Sequence, residues 1–178
     1  MKMNKNYTIE VKTAVIDVKE YVRECVDVEK FLAFCKECGN YGKKWSCAPF
    51  DFNPLDIWAK YDEFEVTAYI LRPEKGMTMK EASEMLTFEK NRMQAQLQKT
   101  ENENRYVLGA GSCTVCEKCA KIDGLPCRFP EKMRYSIEAL GGDVVKTAEK
   151  YLGMKILWST DGSVPEYLMP VGGVLVKR

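Results

Sequence analysis

The sequence predicts an α/β fold: a single domain over residues 1–178, with a mixed, mostly parallel sheet, flanking helices and two cysteine-rich metal-binding loops. Three observations lead there. Short runs alternate apolar and polar residues, longer stretches between them repeat apolar residues every three or four positions, and seven of eight cysteines gather in two segments. A length of 178 residues fits one domain of about 100–200 residues. A globule of that size buries roughly 70% of the surface of its unfolded chain, so it does not need metal merely to fold.

Tyr7 to Val18 alternates as a strand does, with a break expected near Thr13. From Tyr21 to Cys35 the apolar spacing is helical, with an interruption expected near Asp27. Gly39-Asn40, Gly42, Pro49 and Pro54 make residues 39–54 a loop. A short helix over Leu55 to Tyr61 leads to a strand over Phe64 to Leu71, closed by Pro73 and Gly76. Thr78 to Glu103 is the clearest helix, with Met79, Ala82, Leu86, Met93 and Leu97 on one stripe and Thr78 as N-cap. Arg105 to Ala110 reads as a further strand. Strand, helix, strand is the βαβ pattern, which predicts a parallel pair joined by a right-handed crossover. Helices are expected over Pro130 to Leu140 and Asp143 to Leu152, and final strands over Lys155 to Trp158 and Tyr167 to Val176.

Charge excludes one class of partner. With 27 basic and 26 acidic side chains, and no basic stripe with interleaved aromatics, nucleic-acid binding is not expected. No apolar run approaches the roughly 18 residues of a membrane span, and Met1 to Glu10 holds no apolar core for export. The expected compartment is the cytoplasm, where thiols stay reduced, so eight cysteines point to metal or redox chemistry and not to disulfides. Histidine is absent altogether. A transition-metal site in this chain must therefore be mainly thiolate.

The stronger cysteine segment is Cys113, Cys116 and Cys119, spaced C-x2-C-x2-C, with Cys127 seven residues further and Pro130 beyond it. Two-residue gaps let a tight loop aim successive sulfurs at one cubane, and the bacterial ferredoxin run shares the first two gaps. The last gap here is longer and the proline is displaced, so ligation of Cys127 to another cluster stays open. A zinc knuckle is the alternative, although two separate hooks cannot be drawn without sharing Cys116. The other segment offers Cys35 and Cys38 as one hook, with Cys47 following. Three sulfurs would leave one iron of a cubane open to solvent, substrate or carboxylate. Cys25 sits on an apolar helical stripe and reads as core filling. Lys43, Lys44, Lys118, Lys121, Arg128, Lys132 and Arg134 lie in or beside the two segments, either favouring an anionic cargo or forming a solvated surface. Tyr41 and Trp45 either shield a cluster or pack on the core. Glu131, Glu138 and Asp143 are candidates for proton transfer or plain helix charges, and no catalytic residue is assigned.

These residues resemble a known pattern. Cys-x2-Cys-x2-Tyr-Gly-x2-Trp-Ser-Cys-x-Pro at 35–49 is similar to the hallmark of a family of uncharacterised prokaryotic predicted metal-binding proteins. Gly-x-Cys-x2-Cys-x2-Cys at 111–119, Gly-x-Pro-Cys-Arg-x-Pro-Glu at 124–131 and Ser-x-Glu-Ala-x-Gly at 136–141 extend the likeness. The resemblance implies Cys35, Cys38, Cys47, Cys113, Cys116, Cys119 and Cys127 as ligands and implies no reaction. Ala48 departs from it, standing where the family usually has proline.

The expected cargo is an iron–sulfur cluster of the [4Fe-4S] type, one or two per chain, with zinc as the alternative. The expected role is electron transfer or service as an accessory to a redox enzyme, with a redox partner protein. An enzyme using an open cluster iron as Lewis acid and a zinc-stabilised interaction module are the competing readings.

Overall fold

The computed structural model describes residues 6–178. The part of the N-terminal reading that concerns residues 1–5 lies outside them. In chain order the elements are β1 (Tyr7–Asp17), α1 (Val18–Cys25), α2 (Val28–Glu37), α3 (Leu55–Trp58), β2 (Glu63–Pro73), α4 (Met79–Gln98), β3 (Arg105–Leu108), α5 (Val144–Leu152) and β4 (Val171–Val176).

Helix starts follow the local chemistry. Asp17, Asp27 and Asp143 each accept a hydrogen bond from the backbone N–H three residues on, satisfying one orphan donor at the starts of α1, α2 and α5. Asp27 thus splits the Tyr21 to Cys35 stretch into two helices. Thr78 and Glu81 form a reciprocal capping box at the start of α4.

The sheet corrects the expected topology. Its order is β1-β2-β4-β3, and every pairing within it is antiparallel. The last strand, β4, lies between β2 and β3, so the two strands joined by α4 never touch as a parallel pair. The cause of the misreading is burial on both faces. In β2, Phe64, Val66, Ala68 and Ile70 enter one core with α1, α3 and α5, while Tyr69 and Leu71 enter a second core under α4. A strand covered on both sides reads as a continuous apolar run whichever way its neighbours point.

The same two-sided cover explains β1. It pairs without interruption from Tyr7↔Pro73 to Asp17↔Glu63, so there is no break at Thr13. Tyr7 and Ile9 pack toward α4, whereas Ala14 and Ile16 pack into the opposite core. The burial phase shifts while the backbone stays regular. Two further expectations fail. Only Glu138–Leu140 of the Pro130 to Leu140 stretch is helical, as a 3-10 turn, and Lys155 to Trp158 forms no strand.

Around Tyr21 the larger core is aromatic. Its ring lies 5.1 Å from that of Trp58 and 4.8 Å from that of Phe64, and its hydroxyl is 2.8 Å from Thr147 Oγ1. On the other face, Glu89 of α4 is fully buried; it accepts from the Tyr7 hydroxyl at 2.6 Å and from Arg92 Nε at 2.5 Å. No described helix is long and apolar enough to cross a membrane.

β4 can occupy the middle of the sheet because it is narrow at Gly172 and Gly173. A Cβ on Gly173 would stand 2.5 Å from the Glu65 carbonyl and 2.6 Å from the Phe64 ring. Gly173→Ala is therefore expected to cost about 1–3 kcal/mol, seen as a lower urea midpoint with an unchanged slope. An unchanged midpoint would contradict the close approach.

Candidate metal centre

The first cysteine segment grows out of α2. Cys35 lies in its last turn, and the Cys38 N–H closes that turn on the Cys35 carbonyl at 3.0 Å. Tyr41 N–H then donates to Cys38 O, Cys47 N–H to Lys44 O, and Gly42 N–H to Ala48 O at 2.8 Å. This succession of turns returns Cys47 toward the end of the helix. Gly42 sits at φ +68°, a left-handed position that costs glycine nothing. Burial pushes the Cys35 thiol up, and the neighbouring Cys47 and Cys38 add to the shift. Cys47 is also raised by burial, against the opposing influence of Ser46 and Lys44. Three sulfurs therefore share one neighbourhood.

The second segment leaves the sheet after β3. Gly109 N–H donates to the Tyr135 carbonyl at 2.8 Å, which ties the start of the segment to its end. Beyond Cys119 a 3-10 turn, Ala120–Asp123, reverses at Gly124, and Leu125 N–H closes on the Ala120 carbonyl at 3.1 Å. The chain is thereby brought back so that Cys113, Cys116, Cys119 and Cys127 all line one small enclosed space. Burial pushes Cys113 up, with a backbone hydrogen bond from Val115 opposing and Cys116 and Cys127 reinforcing. Downstream, Arg134 clamps Glu101 through two hydrogen bonds, the longer 2.6 Å, and Glu101 also accepts from Val107 N–H at 2.8 Å.

The two segments are bound to each other by side chains reaching across. Ser46, 1% exposed, accepts from the Cys113 N–H at 3.0 Å, and its hydroxyl lies 3.7 Å from Cys47 Sγ. Lys44 Nζ donates to Ser112 Oγ at 3.1 Å and to the Cys113 carbonyl at 2.9 Å. Lys121 Nζ donates in the other direction, to the Cys47 and Pro49 carbonyls at 3.2 and 3.3 Å. The Trp45 indole N–H donates to Leu125 O at 3.0 Å, and the ring joins the wall of the four-cysteine space.

Seven of the expected residues thus fall into two adjoining neighbourhoods, Cys35, Cys38 and Cys47 in one and Cys113, Cys116, Cys119 and Cys127 in the other. Cys25 stands apart, buried in the larger core. Among the described residues no three or more cysteine or carboxylate side chains are set up to hold a single metal ion. The donors are gathered, and no ligand shell is closed. Thiolates are soft donors, the kind that select zinc, iron–sulfur clusters or copper(I).

The remaining candidates separate clearly. Lys44 and Lys121 are structural links, and Lys118 pairs with Asp123 at 2.6 Å. Glu131 is exposed and Asp143 caps α5. Glu138 differs: its Oε2 is buried without a hydrogen-bond partner, and burial pushes its carboxyl up. Sequence reasoning missed the bridging role of Ser46 and missed Lys90 of α4, half-buried beside Gly111. Ser46 lies inside the Trp-Ser-Cys motif, which was a signal; Lys90 carried none.

Replacing Ser46 by Ala leaves the Cys113 N–H without its acceptor. The expected cost is about 1–3 kcal/mol, together with weaker retention of metal under chelator challenge. Wild-type retention in Ser46→Ala would contradict the bridging role.

Neither a curated protein nor a solved structure shows a significant match to the chain. A family model does, over residues 14–176, described as predicted metal-binding protein (DUF2284). That span takes in both strand-bearing faces and all eight cysteines, and the chain belongs to this family of predicted metal-binding proteins.

Proposed function

We propose that this is an iron–sulfur protein of the cytoplasm, acting in electron transfer or as an accessory to a redox enzyme. The observation that carries the reading is the convergence of Cys113, Cys116, Cys119 and Cys127 on one space, combined with the C-x2-C-x2-C spacing of three of them. Four thiolates are the ligand set of a [4Fe-4S] cluster, which when bound supplies one-electron transfer.

The chain's own residues have definite tasks in this reading. Cys113, Cys116, Cys119 and Cys127 hold the cluster, and Cys35, Cys38 and Cys47 are the three thiols available for a second. Lys44, hydrogen-bonded to the Cys113 carbonyl, places a cation against an assembly whose oxidised charge is about −2. Trp45 walls the site off from water. Val115, Ile122, Leu125 and Phe129 present exposed apolar surface on the same segment, which supports a docking contact for a redox partner protein.

One observation favours zinc as the second reading. The four-cysteine space measures about 20 Å³, room for one water-sized body. A single tetrahedral ion needs less movement of the loops than a cubane does.

Protein purified without oxygen is expected to be brown, with iron and acid-labile sulfide in matching amounts. Cys113→Ser or Cys116→Ser is expected to lower the colour and the iron and sulfide content, and Cys25→Ser to leave them unchanged. Colourless protein holding stoichiometric zinc, and unfolding when the zinc is chelated, would replace the cluster reading with the zinc one.

A further inference from the structure

A second cavity lies beside the cysteine segments and uses none of their sulfurs. Its volume is about 310 Å³, at the lower end of the range for small-molecule sites. Leu86 of α4, Ile156 and Leu157 of the C-terminal connection, and Leu168 and Val171 at the approach to β4 build its apolar wall. Trp158, 70% exposed, stands at the rim. The connection 156–159, which forms no strand, thus serves as cavity wall.

One cation opens into this apolar space. Lys90 of α4 lines the cavity, and its ammonium makes no hydrogen bond and no ion pair among the described residues. Glu138 Oε2 is the one sealed side-chain oxygen or nitrogen without a partner among them, so the Lys90 ammonium, equally unpartnered, keeps open surface. It lies 3.5 Å from where a Cβ on Gly111 would sit, and Gly111 is itself part of the wall. The charges nearby do not neutralise it. Lys44 is a second cation, already committed to Ser112 and the Cys113 carbonyl. Glu138 is closed off, and burial pushes its carboxyl up, toward the neutral form. In that form it neither pairs with Lys90 nor repels an arriving anion.

A half-buried ammonium without a counter-ion, set in an otherwise apolar wall, calls for a ligand with one anionic head and an apolar body. We propose that this cavity binds a monocarboxylate with an apolar chain, its carboxylate on Lys90 and its chain against Leu86, Ile156 and Leu168. An amine of the same shape would bring a further cation beside Lys90 and Lys44. A neutral alcohol would leave Lys90 without an ion pair, and acetate would leave the apolar wall uncovered. Because no cysteine takes part, this site can stand whether the sulfurs hold iron, zinc or nothing.

The test is isothermal titration of the full-length protein with octanoate, 1-octanol, octylamine and acetate. The first three share a chain and differ in the head, whereas acetate keeps the carboxylate alone. Octanoate should bind saturably, 1-octanol about tenfold or more weakly, and octylamine more weakly still. Lengthening the acid from butanoate to octanoate should raise affinity about fourfold for each CH₂ added. Lys90→Met keeps the apolar stem and removes the charge; it should weaken octanoate about tenfold and leave 1-octanol unchanged. Should Lys90→Met fail to fold, Lys90→Gln carries the same expectation. Iron and zinc are measured on every sample, so loss of metal and loss of binding are told apart. Acetate can also reach an open iron or zinc, so acetate binding as tight as that of octanoate would put the carboxylate on a metal and overturn the proposal. No saturable binding of octanoate at millimolar concentration, octylamine binding as tightly as octanoate, or a Lys90 variant with wild-type octanoate affinity would overturn it equally.

Discussion

The hydrogen bond from the Cys113 N–H to the buried Ser46 hydroxyl is the contact on which the arrangement of sulfurs depends. The two cysteine segments contain little regular structure, and their larger apolar side chains include exposed ones such as Ile122 and Leu125. Hydrophobic burial therefore does little to hold one segment against the other. Polar links take that role: Ser46 and Lys44 reach from the first segment, Lys121 and the Leu125 carbonyl from the second. Each such bond contributes only about 0.5–1.5 kcal/mol net when made. The larger effect is the penalty for leaving the buried Ser46 hydroxyl and the half-buried Cys113 N–H unmatched, and this favours a single relative placement of the loops.

The scaffold delivers the loops to that meeting point by different routes. The first emerges from α2, whose base is fixed where Asp27 N–H donates to the Gly141 carbonyl at 2.8 Å. The second emerges from the end of β3, an edge strand paired on one side with β4. Closing β4 into the centre of the sheet is thus what sets the position of β3 and of Cys113 beyond it. Gly172 and Gly173 allow that insertion, since side chains there would meet the Leu108 and Glu65 carbonyls.

Features with a local cause were legible in the sequence, and features with a distant cause were not. Thr78 and Glu81 cap α4 within four residues, and Asp27 divides α1 from α2 by its own hydrogen bond, so both could be read directly. The βαβ reading went wrong because the position of β4 is decided by residues 65 to 113 positions away along the chain, from Leu108↔Gly173 to Glu63↔Val176, and burial on both faces imitates a parallel sheet. Glu89 falls on the apolar stripe of α4, three residues after Leu86 and four before Met93, and its burial is matched by the Tyr7 hydroxyl, 82 residues distant, and by Arg92. The cysteine spacing grouped Cys113 with Cys116 and Cys119, and Cys35 with Cys38, but left open whether Cys127 belongs with the former. The contact between segments was invisible, because a serine and a lysine inside a loop look the same whether or not another loop lies opposite.

At this end of the molecule the four-cysteine space adjoins a largely apolar cavity, Cys113 lining the former and Gly111 the latter. The most direct measurement on the central claim, that four sulfurs of one segment grip one inorganic centre, is X-ray absorption at the iron and zinc edges of protein isolated without oxygen. The account predicts a first shell dominated by sulfur, and a loss of bound metal when Cys113, Cys116, Cys119 and Cys127 are replaced together by Ser. A shell of oxygen or nitrogen neighbours, or a metal content unchanged by the fourfold replacement, would contradict it.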